Sequence, residues 1–177
     1  MIDRIHNIFP SFQPSESLLQ TSLENIGCIF HPCVVLCNAA AIERGERFYF
    51  YRDMTPQTSE FIQKVDKERL EVGKAYGIHL QSASDWISSA YTGVKGDTLC
   101  ERMRNNPAYH DIIAPSSIYT RQLFEDIPTG LLPISELGKI KGVATPLMDS
   151  IINISSVLLN TDFRKEGRKL SNFNIKI

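Results

Sequence analysis

The stretch Arg121-Gln122-Leu123-Phe124-Glu125-Asp126 sets one guanidinium and two carboxylates directly before an Ile127-Pro128 step. A guanidinium is a flat fork that grips a carboxylate through two parallel hydrogen bonds, which lysine cannot do. A carboxylate can orient an imidazole and stabilise its charged form. The imidazole that could use one is His31, which precedes Pro32 among apolar residues. Histidine titrates near neutral pH, the range in which a proton shuttle works. Each residue also has a plainer reading. Arg121 and Glu125 are four apart, the spacing of a helical ion pair worth about 0.2–0.5 kcal/mol. Asp126 beside a proline turn reads equally as a loop acid, and His31 as a buried imidazole donating to a carbonyl. Asn38 is a further polar candidate for a substrate contact, against an ordinary helix-face amide. His6, His79 and His110 carry no supporting context and read as surface residues.

The cysteines Cys28, Cys33, Cys37 and Cys100 include three in one short stretch near His31. His31, Cys33 and Cys37 match no familiar zinc-knuckle spacing, and no second Cys/His cluster closes a site. No metal is therefore expected. Buried thiols packing as small apolar groups fit better than a disulfide framework.

The elements that must carry these residues read as helices. Residues Met1 to about position 16, with two prolines and no helical stripe, read as an irregular lead-in. Helical pattern starts near Ser17 or Ser22, with Leu18, Leu19, Leu23 and Ile26 on one side. Gly27 and Pro32 interrupt it. Proline suits a first helical position, so a helix is expected from Pro32 to Glu43, with Gly45 past its end. His31 would then sit at a helix start, beside free N–H groups and a partial positive charge. The aromatic run Phe48-Tyr49-Phe50-Tyr51 reads as an extended link. Thr55-Pro56 caps a long helix toward Tyr76, closed by Gly77. Phe61, Val65, Leu70 and Val72 should form its core stripe, and Lys64, Asp66, Lys67, Glu68 and Arg69 its wet face. Ser82 to Asp85 has the capping-box pattern, and Thr98 to Asn105 reads as a short helix stopped by Pro107. Pro128, Gly130 and Pro133 read as a turn-rich link. Thr145-Pro146 should cap a helix so apolar all round, through Leu147, Met148, Ile151, Ile152, Ile154, Val157, Leu158 and Leu159, that it belongs at the centre. Thr161 opens a last short helix ended by Gly167. Capped helices without a strand–helix alternation indicate an all-α domain.

With 177 residues the chain has room for one domain. A net charge of −1 and 22% charged residues, without a Lys/Arg block, exclude a nucleic-acid surface as its main business. The densest basic run, Arg164 to Lys169, also holds Glu166 and reads as a solvated helix face. No segment approaches the roughly 18–20 apolar residues of a membrane span. The first residues lack the order of a secretory signal. A cytoplasmic protein is the expectation.

The order of several motifs resembles the C-terminal helical domain of the octopine/nopaline (opine) dehydrogenase family. The matching residues begin with Gly27-Cys28-Ile29-Phe30-His31-Pro32 and Asn38, then Tyr76-Gly77, Trp86 and Tyr91. Asn106-Pro107-Ala108-Tyr109 and Ala114-Pro115 follow. The strongest block runs from Arg121 through Asp126 to Pro133, and Gly142 to Pro146 and Gly167-Arg168 complete the series. The resemblance implies an all-α domain over residues 17–177, of the 6-phosphogluconate dehydrogenase C-terminal type. It implies an oxidoreductase acting on a CH–NH bond: an amino acid condenses with a 2-oxo acid, and NADH or NADPH reduces the imine. Carried onto this chain, His31 becomes the general acid/base, Asp126 its orienting acid, Arg121 the clamp on a substrate carboxylate, and Asn38 a weaker substrate contact.

The family's other half is a Rossmann domain, and no glycine-rich fingerprint follows a strand here; Gly93-Val94-Lys95-Gly96 comes nearest and lacks the pattern. The expectations are a substrate-binding half without a nucleotide site and inactive alone. The missing Rossmann domain would be its partner in cis or trans, and a homodimer is a further possibility. The alternative is a non-catalytic helical interaction or dimerisation module that keeps the fold, with a metal-dependent hydrolase a distant third.

Overall fold

The computed structural model describes residues 2–9, 15 and 17–170. Its helices are α1 (Ile2–Ile8), α2 (Leu18–Leu23), α3 (Gly27–Cys37), α4 (Ala39–Glu43), α5 (Pro56–Ala75), α6 (Ala83–Ala90), α7 (Leu99–Arg104) and α8 (Arg121–Phe124). After them come α9 (Leu132–Lys141), α10 (Pro146–Leu158) and α11 (Phe163–Glu166). A short 3₁₀ turn covers Pro107–Tyr109, and one π-helical turn, Ile127–Leu131, joins α8 to α9. Among the described residues there is no strand, only a single antiparallel bridge between Tyr49 and Ile113. That bridge is all that remains of the extended aromatic link. No described helix is long and apolar enough to cross a membrane.

Local chemistry accounts for many helix ends. The side chains of Ser17, Thr55, Ser82 and Thr98 each accept from a backbone N–H in the first turn of α2, α5, α6 and α7. At Thr98 the capping box is complete, with Glu101 reaching back to the cap. Gly77 lies past α5 at φ +72°, and Gly142 ends α9 at φ +70°, conformations that a Cβ disfavours.

Five expectations are corrected. The first residues are not irregular throughout, because Ile2–Ile8 is helical. The helix carrying His31 begins at Gly27, so His31 lies inside its second turn rather than at its start. Pro32 is interior and removes the bond that the Cys28 carbonyl would accept, at a cost of about 3 kcal/mol. Burial of Ile29, Phe30, Val34 and Val35, each worth about 1.5–3 kcal/mol, outweighs that loss. The Pro128–Pro133 stretch is helical, not a link. Each proline sits near the start of its segment, where a missing N–H costs little.

The supposed wet face of α5 contains a buried ion pair. Arg69, with no exposed surface, donates to Asp66 at 2.7 Å, to the Leu23 carbonyl at 3.0 Å and to the Gln81 carbonyl at 2.6 Å. The second Asp66 oxygen accepts from Ala83 N. One guanidinium thus ties α2, α5 and the approach to α6 together, its desolvation offset by full pairing.

Finally, α10 is not central. Met148, Ile151, Ile152 and Ser155 are buried, but Ile154, Val157 and Leu158 are bare, Val157 at 82% exposure. Thr145 does not cap it. The Glu68 carboxylate on α5 accepts from Leu147 N and Met148 N at 2.8 and 3.0 Å. The central helix is α3, which packs against α5, α8, the π turn and α10.

Candidate active site

His31 projects from the buried helix α3, its ring folded back over Gly27, as helical side chains lean toward the N-terminus. A Cβ on Gly27 would lie 3.3 Å from His31 Cε1, so the glycine leaves room for the ring. The π turn places Asp126 opposite. Gly130 in that turn lies so close to α3 that a Cβ there would fall 2.3 Å from Cys28 Cβ. The backbone contact carries Asp126 to His31: Asp126 Oδ2 is 2.7 Å from His31 Nδ1, across 95 residues of sequence. The two side chains are 21% and 10% exposed. Carboxylate oxygens accept, so Nδ1 donates, and in the neutral ring the lone pair lies on Nε2. Nε2 has no partner among the described residues, and the ring is still reached by solvent. The pairing therefore arms one imidazole nitrogen for proton transfer. The neighbouring thiol does not compete. Burial first, and then the Asp126 charge, pushes Cys28 up to about 12, and its Sγ donates to the Asn25 carbonyl.

An aromatic wall adjoins the imidazole. Phe50 meets the His31 ring edge-on at 6.1 Å between centroids, and Tyr51 lies at 6.4 Å. Tyr51 stacks on Tyr109 at 4.5 Å, whose hydroxyl donates to Tyr91 Oη at 2.9 Å. Trp86 closes the row against Tyr91. Burial, and after it the neighbouring Tyr91 and Asp126, holds the Tyr51 phenol well above its ordinary range; Arg121 pulls the other way. The wall was invisible in the sequence as a unit. Its residues come from three separated stretches; Trp86, Tyr91 and Tyr109 stood out only as family-matching positions, and Phe50 and Tyr51 not at all.

The other two candidates are placed differently. Arg121 is 69% exposed and pairs with Glu125 at 3.0 Å across one helical turn. Its guanidinium is therefore open to solvent, beside the exposed stacked rings of Tyr119 and Phe124. Asn38 is held apart from His31. It ends α3, about 10 Å further along the helix axis, and donates to the Val34 carbonyl at 2.9 Å. That bond is the helix-face amide of the plainer reading.

A dinucleotide does not fit the Gly93–Gly96 loop. No strand precedes it, and the amides of Asp97 and Thr98 that follow already donate to Glu101. An acid at that position repels a pyrophosphate. Among the described residues no group of three His, Cys, Asp or Glu side chains could hold a metal ion.

Residues 14–159 match the family model described as the NAD/NADP octopine/nopaline dehydrogenase, alpha-helical domain. The chain belongs to this family. The opine dehydrogenase of Arthrobacter sp. (strain 1C) is 39% identical over 175 residues, which cover 98% of this chain and 48% of that protein. An octopine dehydrogenase solved with NADH and L-arginine shares the fold at a TM-score of 0.76 and 18% identity, over 96% of this chain and 49% of that one. The same likeness extends to octopine dehydrogenase with NADH and pyruvate, at a TM-score of 0.69 and 18% identity, over 97% and 48%. The chain thus spans about half the length of the relatives it matches and corresponds to the family's alpha-helical domain.

Proposed function

We propose that this chain is the substrate-binding and catalytic half of an NAD(P)H-dependent opine dehydrogenase, joining the amine of an amino acid to the carbonyl of a 2-oxo acid. The observation that carries the reading is the 2.7 Å pair of His31 and Asp126, with the imidazole still reached by solvent. His31 Nε2 takes a proton from the amine nitrogen as it adds to the carbonyl and hands it to the oxygen, making the hydroxyl; a second transfer from the same nitrogen to that hydroxyl releases water and leaves the imine. Asp126 holds the Nδ1–H and stabilises the imidazolium between those steps. Arg121 turns from Glu125 to clamp the oxo-acid carboxylate, fixing the carbonyl near the imidazole. Asn38, bonded within its own helix, stands as a weaker contact. NAD(P)H, carried by a nucleotide-binding partner domain in cis or trans, supplies the hydride, and the reaction belongs to the cytoplasm.

The relatives support this through what they bind: NADH, L-arginine and pyruvate in the octopine dehydrogenase structures. The rival reading, a helical interaction or dimerisation module, draws on the bare face of α10 at Ile154, Val157 and Leu158. It gives the His31–Asp126 pair no task. The test joins this chain to the nucleotide-binding half of the Arthrobacter relative. The fusion is expected to oxidise NADH only when pyruvate and an amino acid are both present, and the chain by itself is expected to show none. A folded fusion without substrate-dependent oxidation would sink the reading.

A further inference from the structure

The Tyr51 ring is buried, the residue being 6% exposed, while its hydroxyl keeps some contact with solvent and has no hydrogen-bond partner among the described residues. A donor that only water satisfies is free to pair with a ligand that displaces that water. The neighbours sharpen the contrast, since the hydroxyls of Tyr109 and Tyr91 satisfy each other at 2.9 Å. The Tyr51 ring is held by its neighbours. Phe50 stands edge-on to it at 4.8 Å, Tyr109 stacks on it at 4.5 Å, and the His31 ring lies at 6.4 Å. The ring is fixed against the proposed acid/base while its O–H goes unused.

We propose that Tyr51 is a substrate-binding residue of this site, its phenol donating a hydrogen bond to the carboxylate of the 2-oxo acid beside the Arg121 guanidinium. The inference rests on the opine dehydrogenase reading and extends it by one contact. The phenol ring stands 6.4 Å from the His31 ring, and both Asp126 and Arg121 act electrostatically on it. Burial keeps it protonated, so it can donate at any working pH. A donor and a cation on one carboxylate fix its plane, and with it the face of the carbonyl open to the amine. A hydrogen bond to a charged group is worth about 1.5–3 kcal/mol.

Tyr51→Phe in the fusion enzyme removes one oxygen and keeps every ring contact. The expected result is a KM for pyruvate raised about 10- to 100-fold, with kcat, the KM for the amino acid and the melting temperature unchanged. A pyruvate KM equal to the parent's, or a loss confined to kcat, overturns the inference. So does a lowered melting temperature with both KM values raised alike, because it marks Tyr51 as structural. His31→Asn run alongside separates the two levels. If it retains full activity, the functional reading fails and takes this contact with it. If it is inactive while Tyr51→Phe matches the parent, only the Tyr51 contact fails.

Discussion

Arg121 is held by a pair that costs little to break. Exposed ion pairs are worth about 0–1 kcal/mol, and both partners here are more than half exposed. The bland i,i+4 pairing and the proposed clamp are thus two states of one side chain, separated by a small energy. A substrate carboxylate offered in place of Glu125 gains bidentate geometry. In the fusion enzyme Arg121→Lys should raise the pyruvate KM about tenfold or more, because an ammonium makes no fork. Glu125→Gln should leave it equal or lower. A Glu125→Gln variant as impaired as Arg121→Lys would show that the pair is structural. At this scale the sequence displayed identities but not proximities. His31, Asp126 and Arg121 stood out by type and by family likeness. Tyr51 did not, because an aromatic in a short run carries no mark of what it faces.

The elements are positioned by two departures from local rules. Pro32 inside α3 and the proline-flanked π turn at Ile127–Leu131 both defy the patterns that punctuate helices. Tertiary burial overrides them, and together they bring imidazole and carboxylate into contact; π turns recur at functional sites for this kind of reason. Thr55, Ser82 and Thr98 were legible because a cap is a contact within one turn of its own residue. The cap on α10 was not, since Glu68 lies 79 residues away on α5. Arg69 was hidden likewise, its carbonyl partners lying on other segments. Gly130 supplies the critical test of the packing. Gly130→Ala forces a Cβ into Cys28, backbone-borne on both sides, and should destabilise the fold by about 1–3 kcal/mol. The accompanying loss of activity should exceed the loss expected from unfolding, because Asp126 moves with the turn. Thermal melts and kinetics on one sample check both; an unchanged melting temperature would show that α3 and the π turn are not in contact.

Across the whole molecule the candidate site is assembled from α3, α8, the π turn and the Phe50–Tyr51 link, and Arg121, Tyr119 and Phe124 beside it are exposed. The all-α class was legible from helix periodicity, and the domain type from motif order. The depth of each helix was not: α10, apolar all round, lies at the surface, and the cysteine-rich α3 takes the centre. If the convergence of distant residues is what makes the site, His31 and Asp126 must act as one unit. The decisive measurement is kcat of the fusion enzyme for His31→Asn, Asp126→Asn and the double variant. Each single change should lower kcat about 100- to 10,000-fold, with the double no lower than the worse single. Full activity in either single variant, or losses that multiply in the double, would contradict the account.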